Sequence, residues 1–130
     1  MRKIIRNNPN SMAKPVGDYS HVTRVPAGAS LIVTSGQIGL DMNGKIPISL
    51  NEQVMNTFTN MKKALESERL LEENIIKVNI WATEEIDWGY FDLKWNELFE
   101  NYYPSMTIAY VSALGLPELK IEIELWCAEV

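Results

Sequence analysis

The sequence contains one cysteine and one histidine in 130 residues. A single thiol, Cys127, excludes an internal disulfide framework and a CxxC metal site, and a single imidazole, His21, removes most zinc constellations. Basic residues are also few: twelve Lys and Arg stand against seventeen Asp and Glu, for a net charge of −5. Affinity for nucleic acid or an anionic membrane comes largely from basic neutralisation of phosphates, so neither partner is expected. No apolar run approaches the ~20 residues of a spanning helix. The N-terminal MRKIIRNNPNSM lacks the apolar centre of a secretory signal. No repeat, linker-like stretch or glycine-rich phosphate loop is visible. What is there is ordinary globular composition, 46% apolar and 22% charged. That predicts one soluble, cytoplasmic domain over residues 1–130.

Strand and helix signals alternate along the chain. His21 to Val25 and Leu31 to Ser35 flank a Pro26-Ala27-Gly28 turn and are expected to pair as a hairpin. Asn43-Gly44 marks a turn. Ser49 and Glu52 fit a capping box ahead of Val54, Phe58, Met61 and Leu65, the stripe of an amphipathic helix, with Asn56 and Asn60 off the stripe. Ile75 to Ala82 is rich in β-branched residues and predicts a strand. Asp87 is the expected cap of a second helix through Phe91, Trp95, Leu98 and Tyr102, stopped by Pro104. Two strands follow, Thr107 to Val111 and Lys120 to Ala128. The order β-β-α-β-α-β-β predicts a two-layer α+β fold with two helices on one sheet face.

The other sheet face is expected to carry the function. Alternation in the last strand puts Ile121, Ile123, Leu125 and Cys127 under the helices and Glu122, Glu124 and Trp126 opposite. Trp81 with Asn79, and Tyr110 with Ile108, are expected to extend this mixed set. Aromatics beside carboxylates on an open sheet suit a partner surface, and a second copy of the chain is the expected cover. Glu122 and Glu124 lie about 6.8 Å apart along one strand. That spacing suits acid–base work on a water but equally a solvated strand face. His21 reads as a surface residue, Cys127 as a buried small hydrophobe, and the six methionines as core filler.

Several segments together sharpen this picture. They are Gly17-Asp18-Tyr19, Ser35-Gly36-Gln37-Ile38, Asn60-Met61-Lys62, Tyr103-Pro104, and Leu116-Pro117 followed by Lys120-Ile121-Glu122-Ile123-Glu124. With the chain order, they resemble the RidA (YjgF-type) family of enamine/imine deaminases. The resemblance runs from about residue 14 to 128, leaving residues 1–13 as a short N-terminal extension. It implies a chorismate-mutase-like α+β fold and a homotrimer with a central barrel. It also implies small-metabolite clefts between subunits and no metal or organic cofactor. It places the glutamate that positions or activates water at Glu122 and the cleft tyrosine at Tyr19. Ser35, Gly36 and Gln37 fall on the cleft-lining stretch.

The resemblance breaks at one point. The family's strand arginine, which grips the carboxylate of a 2-imino acid, falls on Met106, and the small residue or cysteine beyond it on Ile108. A methionine cannot make the bidentate pair of an arginine, a loss on the order of 10²-fold in affinity or rate. The four arginines, Arg2, Arg6, Arg24 and Arg69, all lie off the expected cleft strands. Arg69 also stands where the family's helix usually ends in glycine. The implied function is a small-molecule-binding member whose cleft favours a less polar or uncharged ligand, and deamination of 2-imino acids is disfavoured. The alternative is an active 2-iminobutanoate/2-iminopropanoate deaminase using Glu122 with another anchor. Ribonuclease or translation-inhibitor action ranks last because of the −5 charge.

Overall fold

A four-stranded sheet with two helices on one face organises the computed structural model, which describes residues 2–130. The elements are β1 (Ile5–Asn7), β2 (Val22–Arg24), β3 (Ser30–Val33), α1 (Leu50–Ser67), β4 (Ile75–Ala82), α2 (Trp88–Phe99), β5 (Ser105–Tyr110) and β6 (Ile121–Glu129). The large sheet runs β3-β6-β4-β5, with β4 and β5 parallel and the other pairs antiparallel. This is the α+β arrangement expected from the order of apolar periods.

The helices form where caps and stripes coincide. Ser49 Oγ accepts from the Glu52 amide, and Asp87 Oδ1 from the Tyr90 amide, each satisfying a donor the first turn leaves free. From α1, Val54, Phe58, Met61 and Leu65 enter the core; from α2, Phe91, Trp95, Leu98 and Phe99. They meet Val78 and Ile80 of β4 and Ile121, Ile123, Leu125 and Cys127 of β6, the apolar set that strand alternation predicts. Each large side chain buried here contributes roughly 1.5–3 kcal/mol.

Four expectations need correction. The Pro26-Ala27-Gly28 turn exists, with Gly28 at φ +86° and the Ala29 amide donating to Pro26 O, but it joins no hairpin. β2 pairs instead with β1, within the expected N-terminal extension, of which Met1 lies outside the described residues; β3 pairs with β6. A local turn reverses the chain, but partner choice rests on burial, and β6 offers Ile32 an apolar neighbour in Cys127. The second helix stops at Phe99, because Glu100 adopts φ +53°, and Tyr102 lies beyond it, exposed. The third correction concerns β5, which starts two residues before Thr107 and ends at Tyr110. Finally, Ile108 and Tyr110 pair with Ile80 and Ala82, so they share the helix-covered face and not the face of Trp81 and Asn79.

Candidate functional site

On the helix-free face, β6 presents Glu122, Glu124 and Trp126 opposite Trp81, Asn79 and Lys77 of β4. The two glutamates differ in their surroundings. Glu124 Oε2 accepts from Asn79 Nδ2 at 3.0 Å and from the Trp126 indole at 2.8 Å, so it is held in place. Glu122 is half-buried, and no side chain among the described residues forms a salt bridge with it. Its carboxylate lies against Gly36: a Cβ at that glycine would sit 1.9 Å from Oε2.

The approach is built by an irregular stretch after β3. The Thr34 amide donates to Leu125 O at 3.0 Å, and the Gln37 amide to Ile123 O at 2.6 Å. Three steps along this stretch therefore face two along β6, the signature of a bulge, and Ser35 and Gly36 occupy the excess. The loop beyond is clamped from α1. Asn56 Nδ2 donates to Gly39 O, and Asn60 Nδ2 to both Ile38 O and Leu40 O. Fully buried Gln53 donates to Pro47 O and Glu118 O and accepts from the Lys120 amide, fixing the entry to β6 two residues before Glu122. Sequence pattern placed Asn56 and Asn60 off the apolar stripe and passed over Gln53. The signal available was a run of amide side chains at positions 53, 56 and 60, at helical spacing, facing a loop whose backbone needed donors.

A separate cavity of about 500 Å³ opens at the β5 edge. Its walls are Trp88, Phe91, Asp92 and Trp95 from α2, Met106 and Ile108 from β5, and the loop Val16-Gly17-Asp18-Tyr19. The loop is pinned by three contacts. Trp95 Nε1 donates to Asp18 O at 2.7 Å, Asn96 Nδ2 donates to Asp18 Oδ2 at 3.0 Å, and the Ser20 amide donates to Pro104 O at 3.0 Å. Phe91 and Trp95 stack at 5.9 Å, and Trp88 meets Phe91 edge-on at 5.3 Å. Burial, and then the charge of Asp18, push the Asp92 carboxyl above its ordinary value; the same two causes raise the Tyr103 hydroxyl. No arginine is among the lining residues. Arg2 donates to Ala27 O, and Arg6 to Glu73 O and Ile75 O; Arg24 lies in β2, and Arg69 follows α1.

The sequence-derived site residues thus fall into two groups. Glu122 meets Gly36, whose neighbour Gln37 bridges to Ile123 of β6; Tyr19, Met106 and Ile108 line the edge cavity on the helix side. Within one chain the sheet separates them. Among the described residues no cluster of His, Cys, Asp and Glu has metal-binding geometry, and no helix is long and apolar enough to cross a membrane.

The chain is a small two-layer α+β domain with a strand glutamate on its open sheet face and a cavity at its sheet edge. Residues 9–129 match the family described as endoribonuclease L-PSP, and the chain belongs to this family, the RidA/YjgF family. A RutC family protein of Aquifex aeolicus is 32% identical over 112 residues, covering 85% of this chain and 84% of that protein. The 2-iminobutanoate/2-iminopropanoate deaminase of Dermatophagoides farinae is 27% identical over 117 residues, 85% of each. In fold, the chain is similar to the Rid-family protein YyfB of Yersinia pestis, with a TM-score of 0.81 at 20% identity over 96% of this chain and 98% of that one.

Proposed function

We propose that this protein binds a small imine- or enamine-like metabolite in clefts between the subunits of a homotrimer, where Glu122 activates the hydrolytic water. The carrying observation is the contrast between the two strand glutamates. Glu124 Oε2 accepts two hydrogen bonds, whereas the Glu122 carboxylate accepts none from the described residues and sits in the space that the missing side chain of Gly36 leaves. A general base needs a free lone pair within reach of the water it deprotonates. In the proposed reaction Glu122 takes a proton from water as the oxygen adds to the C=N carbon and returns it to the nitrogen. The hydroxyl proton then passes to nitrogen as the C–N bond breaks, leaving a carbonyl product and ammonia. No metal or organic cofactor takes part.

Two features support the second copy. Leu31, Val33 and Trp126 are 60%, 53% and 40% exposed on the same sheet face as Glu122, an apolar surface that association would cover. The two groups of site residues also lie on opposite sides of the sheet, so a complete site calls for Glu122 from one chain and the Tyr19–Met106 cavity from another.

Met106 takes the place of the family's carboxylate-gripping arginine, which sets the substrate apart from the 2-imino acids named for the mite relative. Ribonuclease action gains nothing from the cavity, whose charged side chains are aspartates and repel phosphate. Ammonia release from freshly generated 2-iminobutanoate tests the reading. The wild-type protein should be roughly 10²-fold slower than an arginine-bearing relative. Met106→Arg should raise the rate, and adding Glu122→Gln should abolish the gain. Wild-type activity equal to the relative's would favour an active deaminase with a different anchor. A gain surviving Glu122→Gln would remove Glu122 from the mechanism. Sedimentation analysis checks the trimer.

A further inference from the structure

The edge cavity has no cation on its walls, and its two charged residues are both acidic. Asp92 projects from α2, and Asp18 comes from the facing loop. Asp18 is hydrogen-bonded to a neutral amide, Asn96, and the salt bridges among the described residues, Lys94–Glu97 and Lys120–Glu84, involve neither aspartate. The remaining walls are largely aromatic, with Trp88 exposed and Phe91 and Trp95 packed behind it, almost wholly buried. Aromatic faces carry negative quadrupole charge and attract an organic cation that has shed part of its water. Burial and the neighbouring Asp18 already penalise the Asp92 carboxylate, which an arriving positive charge would relieve.

We infer that the ligand of this cavity is a small organic cation with an apolar body, and that the substrate of the proposed reaction is a protonated iminium without a carboxylate. This rests on the inter-subunit reading above and specifies its substrate class. A carboxylate-bearing ligand would meet two aspartates and no guanidinium, whereas an iminium would meet complementary charge and aromatic walls. The chemistry balances with water alone. The water oxygen bonds to the iminium carbon as Glu122 takes its proton, and Glu122 then gives that proton to the nitrogen. The C–N bond breaks, nitrogen leaves as ammonia with the electron pair, and the hydroxyl oxygen forms the C=O bond as its proton returns to Glu122 and from there to solvent. The carbonyl product is neutral and loses the attraction that held the cation.

Binding can be measured without turnover. Titrations of n-butylammonium, butyramide and butyrate, matched in carbon skeleton, are followed by tryptophan fluorescence or NMR. The ammonium should bind about ten-fold tighter than the carboxylate, with the amide between them. Asp92→Asn, at an exposed side chain, should keep the fold and reduce that ratio, and adding Asp18→Asn should bring it close to one. A carboxylate that binds as well as the ammonium overturns the inference, as does an unchanged ratio in the double variant. Glu122→Gln should remove imine hydrolysis. Retained hydrolysis in that variant would sink the catalytic reading and leave the cation preference standing.

Discussion

Replacing Gln53 tests whether a single buried amide fixes the entry to the strand that bears Glu122. Its side chain is 0% exposed and makes three hydrogen bonds, to Pro47 O at 2.8 Å, to Glu118 O at 2.9 Å and from the Lys120 amide at 2.8 Å. Gln53→Met keeps the volume and removes the bonds. Three neutral bonds at about 1 kcal/mol each give a loss of about 3 kcal/mol. Gln53→Ala adds a cavity and about 2 kcal/mol more. Against a total stability of roughly 5–15 kcal/mol, the methionine variant should melt about 10 °C lower. Urea unfolding at fixed protein concentration provides the measurement, since any association adds a concentration term. Gln53→Glu gives an internal control. At neutral pH its carboxylate faces two carbonyl oxygens, so it should be less stable than Gln53→Met. Acidification should narrow the difference, because protonation restores a donor. A Gln53→Met loss under about 1 kcal/mol, or a Glu variant as stable as the methionine at neutral pH, would refute the assignment.

Three further outcomes follow from local geometry. Arg69 sits at φ +56° after α1, where its amide donates to Glu66 O and that of Leu70 to Leu65 O; Arg69→Gly should raise stability by up to about 1 kcal/mol in thermal melts. A methyl at Gly36 displaces the Glu122 carboxylate, so Gly36→Ala should lower imine hydrolysis by on the order of 10²-fold and cost only about 1 kcal/mol of stability. The double variant with Glu122→Gln should be no slower than Glu122→Gln alone, and additive losses would mean that Gly36 acts by another route. Cys127 is buried and its thiol is pushed up to about 11, so at pH 8 only about one molecule in a thousand carries the thiolate. Native protein should resist thiol alkylation, and labelling should appear only on unfolding.

Much of the architecture was legible because it rests on short-range periodicity. The four-three-four spacing of Val54, Phe58, Met61 and Leu65, the cap residues Ser49 and Asp87, and the alternation of β6 each carry their own structural instruction. Partner choice is another matter. The turn after β2 looks like a hairpin turn, but β3 gains more by lying along β6, and nothing local to residues 21–35 encodes that. The same reason hid which face of β5 is covered: Met106, Ile108 and Tyr110 alternate correctly, but only their register with Val78, Ile80 and Ala82 assigns the side. Glu122 and the Ser35–Gln37 stretch were readable as motifs, and their contact depends on a bulge that appears only once β6 is in place. Asp18 and Asp92 are distant in sequence, so the charge of the cavity was not legible at all.

The sheet that keeps Glu122 apart from the edge cavity also lets the two sides be altered independently. Met106, Trp88 and Asp92 can change without touching the bulge that holds Gly36 against Glu122, because no cavity-lining residue belongs to that stretch or to β6. Substitutions can therefore reshape the cavity while the contact of Gly36 with Glu122 stays as it was. A scaffold partitioned in this way is suited to diversifying by drift on one side and constancy on the other.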